Sequence, residues 1–478
     1  MLTRSAIVDD LLGRSSTIPQ PKRRKKIVDK QPRRGELNGM GVERWRIPLP
    51  DNAWEELRRP ERYDESSWDG KRFMSIYGVP AVLFDELVAE ASKHDVLRGK
   101  THLGDGRRGP ISKPMELKVA AVLETCQAGL IFKTAERLCK ISEQVIESFF
   151  HHFMRLQVEF EYKKHVYPPE SREHIDSTLK MHAALGFPGC ISMADGTKWH
   201  WLACPFAEAP AHTGKEGDPT KLFMVCGDAV KIIHHVHGSH PGARNDLTAA
   251  RYDEFIQSVK NGDRYADELF ELYSDHRCRQ VHRGLWIITD NGFHKWRVTQ
   301  FPSKISSDIW LQRWSKRMES VRKPGTECIY GIFKKRFRIL ALPCSFRDTY
   351  KVDNTFRFLC SLHNRLQRHY GLHKLGELSS DWKAANHERD DHLIAEQNTV
   401  RNGTLPHLVN DAAVGNTTEV EFQATWASHR SALVTHFQVQ WETKNIFWMK
   451  AASDCRPNYR TETHVRRTGT AEPEEDFE

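Results

Sequence analysis

Two apolar runs of strand length, each followed by an aspartate and then a glycine, constrain this chain more than any other feature. The first is Gly189–Cys190–Ile191–Ser192–Met193–Ala194–Asp195–Gly196 and the second is Leu285–Trp286–Ile287–Ile288–Thr289–Asp290–Asn291–Gly292. Runs this short and this apolar read as buried strands. An aspartate at the mouth of such a strand has its backbone fixed by packing while its oxygens face solvent, which suits it to hold a metal ion. Asp-Gly pairs also begin ordinary turns, and one run alone would carry no more than that. The expectation at Asp195 is that the strand ends there and the chain turns at Gly196. It then continues into the basic, aromatic segment Lys198–Trp199–His200–Trp201.

At 478 residues the chain has room for about three domains of roughly 150 residues. Its 39% hydrophobic content supports a sizeable core. A net charge of +8 favours acidic partners, nucleic acid foremost. No apolar run approaches the roughly 20 residues of a membrane span, so no membrane partner is expected. The opening Met1–Leu2–Thr3–Arg4–Ser5 lacks an apolar core, so secretion is not expected. Ten cysteines form no Cys-x-x-Cys pair, so neither a zinc ribbon nor a redox motif is indicated, and a reducing compartment fits. The run His234–His235–Val236–His237–Gly238–Ser239–His240 is expected to be a strand whose alternate histidines line a polar face. No cysteine or carboxylate stands near it in sequence at metal-site spacing.

The chain divides by composition. Residues 1–45 read as a disordered basic arm whose cluster Lys22, Arg23, Arg24, Lys25 and Lys26 is of nuclear-import type. Residues 66–165 are helical in pattern. Within them Thr134–Lys140 and Glu143–Leu156 form a close pair, with Ser142 as the expected N-cap. That pair fits a helix-turn-helix or an ordinary helical hairpin equally well. Residues 166–186 connect, broken by Pro168–Pro169. Strands are expected at Lys221–Cys226 and Val230–Val236, then a turn at Pro241–Asp246 and a helical region over about 247–273. Residues 302–322 read as an irregular basic connection. Helices follow from Glu327 through Phe337 and from about Asn354 to Tyr370. Residues 375–478 form a C-terminal extension ending in an acidic, disordered tail.

Asp195 and Asp290 end two strands, and Glu327 opens a later helix. Cleaving or joining a phosphodiester calls for two divalent ions about 3.5–4 Å apart, held by carboxylates from different elements. Mg²⁺ takes hard oxygen ligands and keeps several waters, so three acids are enough. Two strand-end aspartates followed by a helical glutamate is the layout of the RNase H-like fold of DDE nucleases. At 100° per residue, Lys334, Lys335 and Arg338 fall near the face of Glu327, where cations suit a phosphate backbone.

In these blocks the sequence resembles the PIF/Harbinger transposases, in particular the plant transposon protein group, over roughly residues 70–370. Gly189–Pro205 resembles the first catalytic block of that family. Thr213–Thr220 is similar to its GKEGxPT segment and Pro241–Asp246 to its PGSxND turn. Thr289–Trp296 is similar to the block with the second aspartate, Glu327–Phe337 to the helix with the third acid, and Leu362–His363–Asn364 to the closing LHN. The fold class expected is α/β: an RNase H-like mixed-sheet catalytic domain over 186–372, preceded by the helical region.

The resemblance implies metal-dependent DNA cleavage and strand transfer in the nucleus, with two Mg²⁺ (or Mn²⁺) ions. Asp195, Asp290 and Glu327 would be the ligands and Asp246 a subsidiary acid, while Lys198, Lys334, Lys335 and Arg338 would meet DNA. Transposon ends and target DNA, a Myb-like DNA-binding protein and further copies of the chain are the implied partners. Lys323–Pro324–Gly325–Thr326 departs from the family pattern before Glu327, leaving Glu319 as a fallback third acid. A domesticated, catalytically silent DNA-binding or scaffold protein is the alternative.

Overall fold

The computed structural model describes residues 57–98, 113–303, 306–374, 408–409 and 419–446. The basic cluster Lys22–Lys26 and the acidic C-terminal tail lie outside these residues. All described residues belong to one contact unit, Leu49–Glu478.

The fold is mixed α/β. Its centre is a five-stranded sheet in the order β3-β2-β1-β6-β7, built from β1 (Cys190–His200), β2 (Thr220–Gly227), β3 (Ile233–Pro241), β6 (Trp286–Ile288) and β7 (Thr299–Gln300). β1, β2 and β3 pair antiparallel, whereas β6 runs parallel to β1 and β7 parallel to β6. A separate hairpin joins β4 (Leu269–Tyr273) to β5 (Arg279–Arg283), with β8 (Leu408–Val409) alongside.

β2 is buried along its whole length because both faces of the sheet are covered. Alternate side chains enter two cores. Phe223 and Val225 join Trp199, Trp201 and Val236 in one core. That core is completed by helices α1 (Trp68–Tyr77), α2 (Ala81–Ser92), α3 (Met115–Ala128), α4 (Phe132–Cys139) and α5 (Glu143–Leu156). Leu222, Met224 and Cys226 join Ile191, Met193 and the β6 residues in the other. Around it pack α6 (Arg172–Ala184), α7 (Asp246–Ala250), α8 (Glu254–Asn261), α9 (Ile309–Gly325) and α12 (Glu419–Glu442). Helices α10 (Glu327–Arg336) and α11 (Thr349–His369) belong to the first core, where Phe356 stacks on Phe223 at 3.9 Å between ring centroids.

Several expectations are corrected. The chain does not turn at Gly196: Asp195 and Gly196 lie mid-strand, paired with Val225 and Met224, because β2 keeps pairing with β1 as far as Thr220. β3 begins later than expected and runs on to Pro241. The connection 166–186 contains α6, whose Ser171 hydroxyl accepts from His174 N–H to start the helix just after Pro168–Pro169. The helical region after Asp246 stops at Asn261 and gives way to the β4–β5 hairpin. Residues 302–322, read as irregular, contain most of α9, capped by Asp308. The α4–α5 pair is present, but Ser142 makes no side-chain cap bond. α5 buries Ile146, Phe149, Phe150 and Phe153 and leaves Glu143, Glu147, Ser148 and His152 exposed. α10 ends at Arg336, so Arg338 lies in a following 3-10 turn rather than on the helix face of Glu327.

The closing Leu-His-Asn block has a structural task. Asn364 Oδ1 accepts from Ile233 N–H at 2.9 Å, and its Nδ2 donates to the carbonyls of Ile233 and His165 at 2.7 and 2.8 Å. One side chain thus fastens the start of β3 to α11 and to the end of the N-terminal helical layer.

Candidate active site

β6 pairs with β1 only as far as Ile288 opposite Met193. Where β6 stops, a notch opens beside the middle of β1. Asp195 stands on β1 at this notch and Asp290 stands two residues beyond the end of β6. The third acid arrives from the Pro241–Asp246 turn. Gly242 lets that turn press on the start of β2, since a Cβ there would lie 1.9 Å from Thr220 Oγ1 and 2.5 Å from the Thr220 carbonyl oxygen. Asn245 caps α7 through Thr248 N–H at 2.9 Å, placing Asp246 in the first turn.

Gly196 makes room for that carboxylate, whereas Gly292 stands only at ordinary contact distance from it. A Cβ on Gly196 would lie 2.3 Å from Asp246 Oδ1, and one on Gly292 would lie 3.8 Å from Asp246 Oδ2. The Asp195–Gly196 signal is therefore not turn chemistry. The bare Cα of Gly196 seats Asp246 beside Asp195 on β1, with Asp290 just beyond the end of β6.

α9 supplies a residue the sequence did not single out. Arg322, itself buried, donates from Nη1 to Asp195 Oδ2 at 2.9 Å and from Nη2 to Glu327 Oε1 at 2.9 Å. It also forms a two-pronged contact with Glu319 at 3.1 and 3.2 Å. Its ionisation is pushed up by its bonds to Glu319 and by the charges of Asp195 and Asp290, against the effect of burial. Glu327 and the fallback acid Glu319 are thus gathered by the same guanidinium. Tyr330, one turn along α10 from Glu327, donates from its hydroxyl to the Asp195 carbonyl at 2.8 Å.

The electrostatics follow from burial and crowding. Asp195 is pushed up from its ordinary value to about 6, chiefly by burial, with Asp246 and Asp290 adding repulsion and Arg322 opposing it. Asp246 is raised too, by burial and by the charge of Asp290. The site has an excess of negative charge that one arginine does not balance.

Of the basic candidates, Lys198 is ion-paired to Glu216 of the Gly-Lys-Glu-Gly segment at 2.8 Å. Lys198 and Lys334 line one crevice with Tyr330. Lys334, Lys335 and Arg338 are exposed. The aromatic tail of the first block is packing: Trp199 and Trp201 are buried and donate to the carbonyls of Leu342 and Phe346.

A donor set made only of carboxylates suits a hard divalent cation, and the surplus charge on Asp195 and Asp246 gives such an ion something to neutralise. Arg322 stands as a cation between Asp195 and Glu327. Among the described residues, the clusters of three whose ligand atoms already lie within 4.8 Å of one another are found elsewhere.

Residues 163–369 match the model of the plant transposon protein family. This segment contains every residue of the cluster, from Asp195 to Glu327. No curated protein and no solved structure matches the chain. The family match supports a transposon-related family and, with it, a transposase-related function.

Proposed function

We propose that the chain is a DDE-type transposase, or a nuclease derived from one, of the PIF/Harbinger kind, with an RNase H-like catalytic domain. The observation that carries this reading is the convergence of Asp195, Asp246 and Asp290 at one notch, with Glu327 tied to Asp195 through Arg322. Asp195, Asp290 and Glu327 would hold two Mg²⁺ or Mn²⁺ ions, with Asp246 as the subsidiary acid. Bound there, the ions would activate water or a 3′-hydroxyl and stabilise the leaving oxygen of a phosphodiester.

The protein's own groups would do the rest. The room at Gly196 lets Asp246 stand against β1, and Tyr330 fixes the Asp195 backbone. Arg322, bonded to both, holds Glu327 toward Asp195. Lys334, Lys335 and Arg338 offer exposed cations to a phosphate backbone, a role that the net charge of +8 favours. The substrates would be transposon ends and target DNA, handled in the nucleus by an oligomer with a Myb-like DNA-binding protein as partner.

The bridge from Arg322 to Asp195 and Glu327 favours a second reading: a domesticated protein that binds DNA with its acids satisfied internally. Cleavage of element-end DNA in Mg²⁺ or Mn²⁺, by wild type and by Asp195→Ala and Asp290→Ala, separates the two. Loss of cleavage in both variants supports the triad. Equal activity in all three proteins refutes it. Tight DNA binding without cleavage under any of these conditions favours the silent protein.

A further inference from the structure

The histidine-rich strand belongs to a second site. In the β1–β2–β3 register, Asp195 shares a row with Val225 and Val236, and both valines enter the core with α11. His235 and His237 therefore point to the opposite face of the sheet. There they meet the N-terminus of α8. His237 Nδ1 lies 3.4 Å from Glu254 Oε2, and His235 Nε2 lies 3.8 Å from the same oxygen and 3.6 Å from Asp253 Oδ2. The ligand atoms of His235, His237 and Glu254 all lie within 4.8 Å of one another.

Two of these atoms are buried without a hydrogen-bond partner: His235 Nε2 and Asp253 Oδ2. Asp253 is fully buried, and its other oxygen caps α8 by accepting from Ile256 N–H at 2.8 Å. An unpartnered carboxylate oxygen and an unpartnered imidazole nitrogen facing each other carry a desolvation cost that a shared cation would remove. Among the described residues, the other cluster of similar spacing, Glu90–Glu161–His165, differs: Glu90 is paired with Arg365 and Glu161 with Lys164.

We propose that His235, His237, Asp253 and Glu254 form a structural site for a zinc-type cation. Two imidazole nitrogens and two carboxylate oxygens make a four-ligand set of the borderline kind that zinc takes. Metal–ligand bonds of about 2.0–2.1 Å in a tetrahedron set ligand atoms about 3.3–3.4 Å apart. The three separations of 3.4, 3.6 and 3.8 Å approach that geometry; His235, His237 and Glu254 already stand within 4.8 Å of one another, and Asp253, reached through His235, completes the set by turning toward it. The ion would clip together the two ends of the segment 238–252. That segment carries the Pro241–Asp246 turn, so the clip would restrict the loop that delivers Asp246.

The test uses the full chain, zinc-reconstituted and then freed of loose metal by gel filtration in Mg²⁺ buffer. One equivalent of zinc per chain is expected by elemental analysis. Cobalt in its place should give the intense visible bands of tetrahedral coordination. Glu254→Gln and His237→Ala, both near the surface and checked for folding by circular dichroism, should each lose at least tenfold in zinc affinity. Asp195→Asn should keep its equivalent, which separates this site from the acids at the notch. Substoichiometric zinc in the wild type, or folded Glu254→Gln and His237→Ala proteins that retain it unchanged, would overturn the assignment.

Discussion

Replacing Asp195 by asparagine should make the metal-free protein more stable, and the size of the gain should depend on pH. The folded-state pKa of Asp195 is about 6 against an ordinary 3.8. Below about pH 3.8 the carboxyl is protonated in both folded and unfolded chains and costs nothing. Between the two values the unfolded chain ionises first, so stability falls as pH rises. Above about pH 6 both states are ionised and the full cost is present, about 3 kcal/mol at about 1.4 kcal/mol per pH unit. Asparagine is isosteric and its Oδ1 can still accept from Arg322, though a charge-assisted bond becomes a weaker one. The net gain at pH 8 should therefore be about 1–3 kcal/mol. Urea unfolding in EDTA at pH 4.5 and pH 8 reads it directly. The advantage of Asp195→Asn should widen by about 2 kcal/mol between those pH values. Added Mg²⁺ should narrow it by stabilising the wild type selectively. An Asp195→Asn protein no more stable than wild type at pH 8, or one with the same gain at both pH values, would refute the claim that the notch concentrates uncompensated charge.

Two further substitutions probe how the site is framed. Gly196→Ala would put a methyl group 2.3 Å from Asp246 Oδ1 and 2.9 Å from Leu222 Cδ1. It should cost about 1–3 kcal/mol by overpacking and lower DNA cleavage at least tenfold. Gly331→Ala on α10, where a Cβ meets nothing within 4 Å, is the control and should be neutral or slightly stabilising in urea unfolding. Asn364→Ala removes three bonds and strands the buried amide and carbonyl of Ile233. It should cost on the order of 3 kcal/mol, and hydrogen exchange should show β3 losing protection.

The strands were legible because buried strands leave a local mark: a short, mostly apolar run such as Cys190–Ala194 or Leu285–Ile288. The missed helices bury too little for that mark to show. α9 sends Trp314, Met318 and Val321 into the core, a spacing of four and three, but cations on its other faces break the pattern. α6 buries Ile175, Thr178, Leu179 and His182, where only two of the four read as apolar. The β4–β5 hairpin was lost for the converse reason. Phe270 and Leu272 alternate as a strand requires, yet Glu268 and Glu271 around them imitate a helix surface. Gly196 misled in a third way: its value is steric room for Asp246, and a glycine needed for room is indistinguishable in sequence from one needed for a turn.

The site itself divides along the same line. The acids proposed to carry the chemistry, Asp195, Asp290 and Glu327, were singled out by residue type and order in the chain. Residues that act through distance were not. Arg322 sits among several cations in α9, and nothing local marks it as the one whose guanidinium bonds Asp195, Glu319 and Glu327 together. Asp253 and Glu254 follow His235 by about a helix and a turn, too far for a metal-site spacing to register, yet the fold brings them within 3.8 Å. Both cases place Asp246 at the centre of the molecule's design. On one side its carboxylate is held among like charges by the room at Gly196 and the charges of Lys198 and Lys215. On the other, the loop that carries it is anchored at both ends by the His235–Glu254 cluster. A residue reached only through two turns and a helix cap needs such bracing, because burial and repulsion both push it out of the notch. The bracing explains why a loop acid can stand beside two strand acids at all.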